Sequence, residues 1–124
     1  MATYRIDRIN KEFLRLISEM LRTKIKKDKV GEAILTNVSV SRDLGFARVY
    51  YTLLDKGRRG EVQKALESSA TQIRAMLGRE LHLRTIPELH FVYDDSEEKA
   101  RAMDELLDKV AAMDAEKASA ERDG

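Results

Sequence analysis

The sequence predicts a two-layer α+β domain, in which helices cover one face of a three-stranded sheet. Three features lead to this prediction. A long apolar stripe with helical spacing lies near the start, three short runs have strand-like patterns, and a second helical stretch separates the last two of these runs. The chain has 124 residues, which is enough for one domain with its own core.

The first predicted helix covers about residues 4–25. Its apolar residues recur every three or four positions and therefore share one face: Ile6, Ile9, Phe13, Leu16 and Met20. Charges on the opposite face alternate at spacings that allow ion pairs within the helix. Four lysines cluster at and beyond its end: Lys24, Lys26, Lys27 and Lys29. They either complement the helix dipole or contact a polyanion.

Two strand-like runs follow the first helix, at residues 33–41 and 46–54. The polar loop between them, residues 42–45, ends in Gly45. A short loop of this kind between two such runs predicts a β-hairpin.

A third strand is predicted at residues 88–93, after Pro87, the only proline. The last two predicted strands carry aromatic residues, among them Tyr50, Tyr51, Phe91 and Tyr93. Such side chains either pack against the helices or stack on nucleic-acid bases, and we favour packing for Phe91.

Residues 62–81 have helical spacing, with a weak point in the middle at Ser69, Ala70 and Thr71. Serine and threonine compete for backbone hydrogen bonds, so we expect a break there between two helices. Residues 57–60 read GRRG, but a nucleic-acid-binding GxxG loop joins two helices, whereas this one follows a strand. We interpret it as an ordinary loop.

We therefore expect a folded domain over residues 1–95, a C-terminal helix over residues 96–111, and a disordered acidic tail over residues 112–124. Residues 1–93 hold 18 lysines and arginines against 11 acidic residues, a balance of +7. Residues 94–124 hold 5 against 11, a balance of −6. A basic body favours a polyanionic partner, and the alternative is a solvated surface.

The composition argues against several other classes of protein. There is no cysteine, which excludes disulfides and thiol catalysis, and two histidines with no signposted third ligand do not predict a metal site. Nucleotide-binding loops and nucleophile–base patterns are missing, so we expect no enzyme activity and no cofactor. No apolar run approaches 18 residues, and no signal peptide is visible.

Three stretches in order resemble the ribosome-binding factor A family. Residues 37–50, NVSVSRDLGFARVY, resemble its hairpin pattern S-x-D-L-x-x-A-[KR]-V-Y. Residues 73–84, IRAMLGRELHLR, are similar to its signature I-R-x-x-L-G-[KR]-x-[LM]-x-L-R. Residues 87–96, PELHFVYDDS, resemble its final strand.

The resemblance implies a KH-like fold of type II, with the order α-β-β-α-α-β and no GxxG loop between the helices. In that place the family has an Ala-x-Gly kink, which falls here on Ser69, Ala70 and Thr71, with Thr71 in place of glycine. It also implies a cytoplasmic, non-enzymatic factor that binds the free 30S subunit and assists late maturation and processing of 16S rRNA. We expect a monomer with no membrane and no small-molecule substrate.

We expect phosphate contacts from eight cations: Lys24, Lys26, Lys27, Lys29, Arg42, Arg74, Arg79 and Arg84. The kink residues would place backbone amides and Arg74 against the RNA. The alternative function is a KH-like protein-interaction module that does not bind RNA directly.

Overall fold

A computed structural model describes residues 2–25 and 29–123 of the chain. The elements follow the order α1 (Ala2–Thr23), β1 (Ile34–Val40), β2 (Phe46–Thr52), α2 (Arg59–Leu81), β3 (Glu88–Tyr93) and α3 (Ser96–Asp123). Short 3-10 helices at Val30–Glu32 and Lys56–Arg58 precede β1 and α2. The chain divides into two compact units, Met1–Asp94 and Asp95–Gly124.

The three strands form one sheet in the order β1-β2-β3. β1 pairs with β2 in antiparallel fashion through the hairpin, whereas β2 and β3 are parallel, because α2 carries the chain across. Both α1 and α2 contact the sheet and each other, so they share one of its faces. The predicted two-layer α+β architecture is confirmed.

The apolar face of α1 and that of α2 meet the inward side chains of all three strands in one core. Its fully buried members include Phe13, Ile17, Met20, Val38, Val49, Leu66, Ile73 and Leu77. The helical and strand periodicities in the sequence therefore correspond to the buried faces.

The hairpin turn is held together by hydrogen bonds that explain the S-x-D-L-G pattern. The Ser41 hydroxyl donates to the Asp43 carboxylate at 2.7 Å, and the Gly45 N–H donates to the same Asp43 oxygen at 2.9 Å. These two bonds lower the pKa of Asp43. A side chain on Gly45 would place its Cβ 3.1 Å from that oxygen, so glycine supplies space. The left-handed residue is Leu44, with φ of 59°.

A β-bulge changes the alternation of β1 near its start. The pairing shifts between Leu35 and Asn37, which leaves Thr36 as the extra residue. Ile34 is consequently exposed, while Val38 and Val40 beyond the bulge are buried as the alternating pattern predicts.

α2 is one continuous helix through the point where the sequence predicts a break. The Ser68 and Ser69 hydroxyls donate to the Ala65 carbonyl at 3.0 and 2.9 Å, so both are satisfied within the helix. Ala70 is half-buried and Thr71 is exposed. Because Thr71 stands where the family pattern has glycine, this chain lacks the residue that most readily leaves a helix. The two helices of the expected order are therefore joined.

α3 also extends further than the sequence predicts, from Ser96 to Asp123, so it includes residues 112–123 of the expected disordered tail. Residues 112–123 are rich in alanine, glutamate and lysine, all strong helix formers. In the first turns Lys99 pairs with Asp95 at 3.4 Å, and Arg101 pairs with Glu97.

His82 ends α2 in a left-handed conformation, with φ of 51° and ψ of 34°. For a residue with a Cβ this conformation costs about 1–2 kcal/mol, whereas glycine adopts it readily but loses more entropy on folding. We expect His82→Gly to raise the free energy of unfolding by up to about 1 kcal/mol, measured by urea denaturation. His82→Ala keeps the strain and serves as the control. Destabilisation by His82→Gly, matched by His82→Ala, would show that the imidazole itself stabilises the fold.

Candidate nucleic-acid interface

The described members of the predicted phosphate-binding set lie at opposite ends of the sheet. Arg42 belongs to the hairpin turn, and Arg79 and Arg84 lie near the C-terminal end of α2. Lys24 and Lys29 instead lie between α1 and β1, and Lys29 pairs with Glu61 at the other end of α2. The 23 residues of α2 span about 33 Å, so these cations do not form one patch.

A chain of contacts brings the end of α2 to the hairpin. The Glu88 N–H, at the start of β3, donates to the Gly45 carbonyl of the hairpin at 3.0 Å. Immediately before Glu88, the carbonyls of Ile86 and Pro87 accept hydrogen bonds from Arg74 on α2. The last turns of α2, the loop after it and the hairpin therefore lie at one end of the domain.

Arg74 is the predicted phosphate ligand that the structure assigns a different role. Its Nε donates to the Pro87 carbonyl and a terminal nitrogen donates to the Ile86 carbonyl, both at 3.0 Å. The side chain is half-buried. Two of its donor groups thus hold the loop that leads into β3, and they cannot bind phosphate at the same time.

The neighbouring residues of the signature serve the same junction. Ile73 and Leu77 are fully buried in the core. Gly78 faces Ile86, whose side chain would lie 3.3 Å from a Cβ at this position. The first half of the signature therefore docks α2 against the loop before β3, and the exposed cations Arg79 and Arg84 are left for a partner.

Two further arginines at the hairpin end were missed in the sequence. Arg5 and Arg8 on α1 line a groove of about 440 Å³ together with Glu12, Leu81 and Leu83. The sequence predicts ion pairs within α1, but Glu12 accepts its hydrogen bond from Arg15, at 2.9 Å, and not from Arg8. A count of acidic against basic residues on the charged face of α1 could have shown the excess of arginine.

We call these residues the hairpin-end cluster: Arg5, Arg8, Arg42, Arg79 and Arg84. All of them are exposed. Over residues 2–25 and 29–123, none of them has an ion-pair partner. Their guanidinium groups are therefore available for a ligand, and each could bind a phosphate through two parallel hydrogen bonds.

The opposite end offers fewer free cations. Lys24 is exposed, whereas Lys29 lies 3.6 Å from the Glu61 carboxylate. Lys26 and Lys27, both predicted to contact RNA, lie outside the described residues. This end also carries the acidic residues Glu61 and Glu32, and Glu32 pairs with Arg58 at 2.7 Å.

The GRRG segment, predicted to be an ordinary loop, is helical: Gly57 and Arg58 belong to the 3-10 helix after β2, and Arg59 and Gly60 begin α2. Both of its arginines have structural contacts. Arg58 pairs with Glu32, and the Arg59 guanidinium lies 4.3 Å from the centre of the Tyr93 ring. The segment follows β2 and does not join two α-helices, so it is not placed as a nucleic-acid-binding GxxG loop.

The helix-kink residues do not offer free backbone groups. Ser69, Ala70 and Thr71 lie inside α2, where each amide donates to a carbonyl one turn earlier. The expectation that their amides contact RNA is therefore corrected.

In the described part of the chain, no group of three or more histidines and acids is arranged to hold a metal ion. The same residues include no helix that is both long and apolar enough to cross a membrane.

The sequence profile of the family Ribosome-binding factor A matches residues 5–107. Ribosome-binding factor A of Chromobacterium violaceum is 41% identical over 113 residues, which cover 91% of this chain and 82% of that relative.

Solved structures of the same family are also similar. A putative ribosome-binding factor A of Thermotoga maritima matches with a TM-score of 0.65 and 25% identity, over 75% of this chain and 90% of that one. A homology model of the Thermus thermophilus factor, fitted into the cryo-EM map of a 30S complex, matches with a TM-score of 0.56 and 19% identity, over 69% and 91%.

The fold of these relatives is KH-like, which confirms the predicted fold class. The profile covers most of the chain and the curated relative is well above 30% identical over nearly all of it. The chain therefore belongs to the ribosome-binding factor A family.

Proposed function

We propose that the chain binds the free 30S ribosomal subunit and assists the late maturation and processing of its 16S rRNA. The observation that carries this proposal is the hairpin-end cluster, a set of exposed arginines without ion-pair partners among the described residues. The related Thermus thermophilus factor was fitted into the map of a complex with the 30S subunit, and this supports the same partner for this chain.

The cluster acts by position and charge. Phosphate contacts fix the orientation of a protein on RNA but do not read its sequence. Arginine suits this task because its planar fork forms paired hydrogen bonds to phosphate oxygens. Bound at one end of a rigid domain, rRNA segments would be held in a limited set of arrangements while the subunit matures. The proposed role is binding without catalysis, by a cytoplasmic monomer.

Arg74 positions residues of the hairpin-end cluster. By holding the carbonyls of Ile86 and Pro87, it fixes the loop that carries Arg84 relative to the helix that carries Arg79. This places Arg74 among the residues that position the interface.

Co-sedimentation of the purified protein with free small subunits, free large subunits and assembled ribosomes tests this proposal. We expect retention on free small subunits only, with loss as the salt concentration rises. Cells that lack the factor should accumulate precursor 16S rRNA, and the wild-type chain should reverse this. Binding that survives nuclease treatment and high salt would instead support the protein-interaction module.

A further inference from the structure

The face of the sheet opposite α1 and α2 carries aromatic and cationic side chains. Phe46, Arg48 and Tyr50 alternate on β2 with buried residues, and β3 contributes His90 and Val92 beside them. Phe46 is 39% exposed and Val92 is 37% exposed. We call these five residues the open-face patch.

Three side chains of the patch, Phe46, Arg48 and His90, contact one another. The Arg48 guanidinium carbon lies 5.6 Å from the centre of the Phe46 ring. The Phe46 and His90 rings meet edge to face, with centroids 6.0 Å apart. One acidic group adjoins them, because Glu88 pairs with Phe46 in the sheet and its carboxylate lies 3.8 Å from His90 Nε2. The patch is a preformed surface of ring and guanidinium planes.

The spacing along β2 fits unstacked bases. Phe46, Arg48 and Tyr50 are each two residues apart, which is about 6.8 Å along a strand. This is twice the rise of about 3.4 Å between neighbouring bases of one strand in a duplex. Successive bases therefore match successive side chains only when the bases are separated from one another, as in single-stranded RNA.

We propose that the open-face patch binds single-stranded RNA by base stacking. The proposal rests on the proposed function, for which it names a second contact surface and the form of RNA that the surface accepts. Aromatic rings and arginine planes on an open sheet are surfaces on which unpaired bases stack. A specific protein interface involves about 20–30 residues on each side, far more than this patch provides.

The chain contains no tryptophan, so Phe46→Trp introduces a single fluorescent reporter into the patch. Leu54→Trp is the matched control, because Leu54 is 91% exposed and lies beyond the end of β2. We expect an eight-nucleotide uridine RNA to quench the Phe46→Trp fluorescence in a saturable manner and to leave Leu54→Trp unchanged. Phe46→Ala should weaken binding of a labelled form of this RNA by about 5- to 150-fold.

Co-sedimentation of the wild type with free small subunits in the same buffer separates the two proposals. Retention on subunits without quenching of Phe46→Trp would overturn base stacking and leave the proposed function intact. Loss of subunit binding in Phe46→Ala without quenching would also overturn it, in favour of a protein contact. Quenching without any subunit binding by the wild type would support the patch and contradict the 30S partner.

Discussion

Replacement of Arg74 by alanine is expected to lower the free energy of unfolding by about 3 kcal/mol. The two bonds from its guanidinium to the Ile86 and Pro87 carbonyls are charge-assisted, and each contributes about 1.5–3 kcal/mol, the upper end for buried pairs. Arg74 is half-buried, so water replaces part of what is lost. Urea denaturation followed by circular dichroism measures the change, which is a large part of the stability of a small domain.

Two variants make this result specific. Arg74→Lys keeps the charge, but a single ammonium cannot reproduce the two-nitrogen geometry, so we expect most of the loss to remain. Arg79→Ala removes an exposed arginine from the same helix and should change stability by less than about 0.5 kcal/mol. If the Arg74→Ala protein is as stable as the wild type but fails to bind subunits, Arg74 contacts phosphate and its role in holding the loop is contradicted.

The second large effect is on binding. An increase in salt from 50 to 200 mM is expected to weaken the affinity for free small subunits on the order of a thousandfold, if about six phosphate contacts form. The hairpin-end cluster supplies five exposed arginines toward that number. Sedimentation binding curves at several salt concentrations give the slope, and a slope near zero would exclude phosphate contacts as the main source of affinity.

The strands, the hairpin and the first helix could be predicted from the sequence. Burial of one face of an element produces a regular spacing of apolar residues, and that spacing is visible in a short stretch of sequence. Val38 and Val40 alternate as core residues do and are buried. Ile34 shares their pattern but is exposed, because the bulge at Thr36 depends on pairing with β2. The continuity of α2 was likewise missed, because hydroxyl bonds to the Ala65 carbonyl offset the weak propensity of the serines.

The candidate site was harder to predict than the fold. A cation in a signature motif looks the same in sequence whether it binds RNA or a backbone carbonyl, and Arg74 binds carbonyls 12 and 13 residues away. Arg5 and Arg8 belong to no sequence motif, and they join the candidate interface only because α1 lines one groove with Leu81 and Leu83. Both facts depend on tertiary contacts between distant segments.

The most direct test compares charge reversal at the two ends of the domain. Arg79→Glu combined with Arg84→Glu should weaken binding to free small subunits by about a hundredfold and reduce the salt slope by about 2, since each arginine is taken to contact one phosphate. Lys24→Glu combined with Lys29→Glu changes the net charge equally and should have a much smaller effect. As a control for folding, both variants must have the same midpoint of urea denaturation as the wild type. Equal losses at both ends, or unchanged binding by the folded arginine variant, would contradict an interface centred on the hairpin-end cluster.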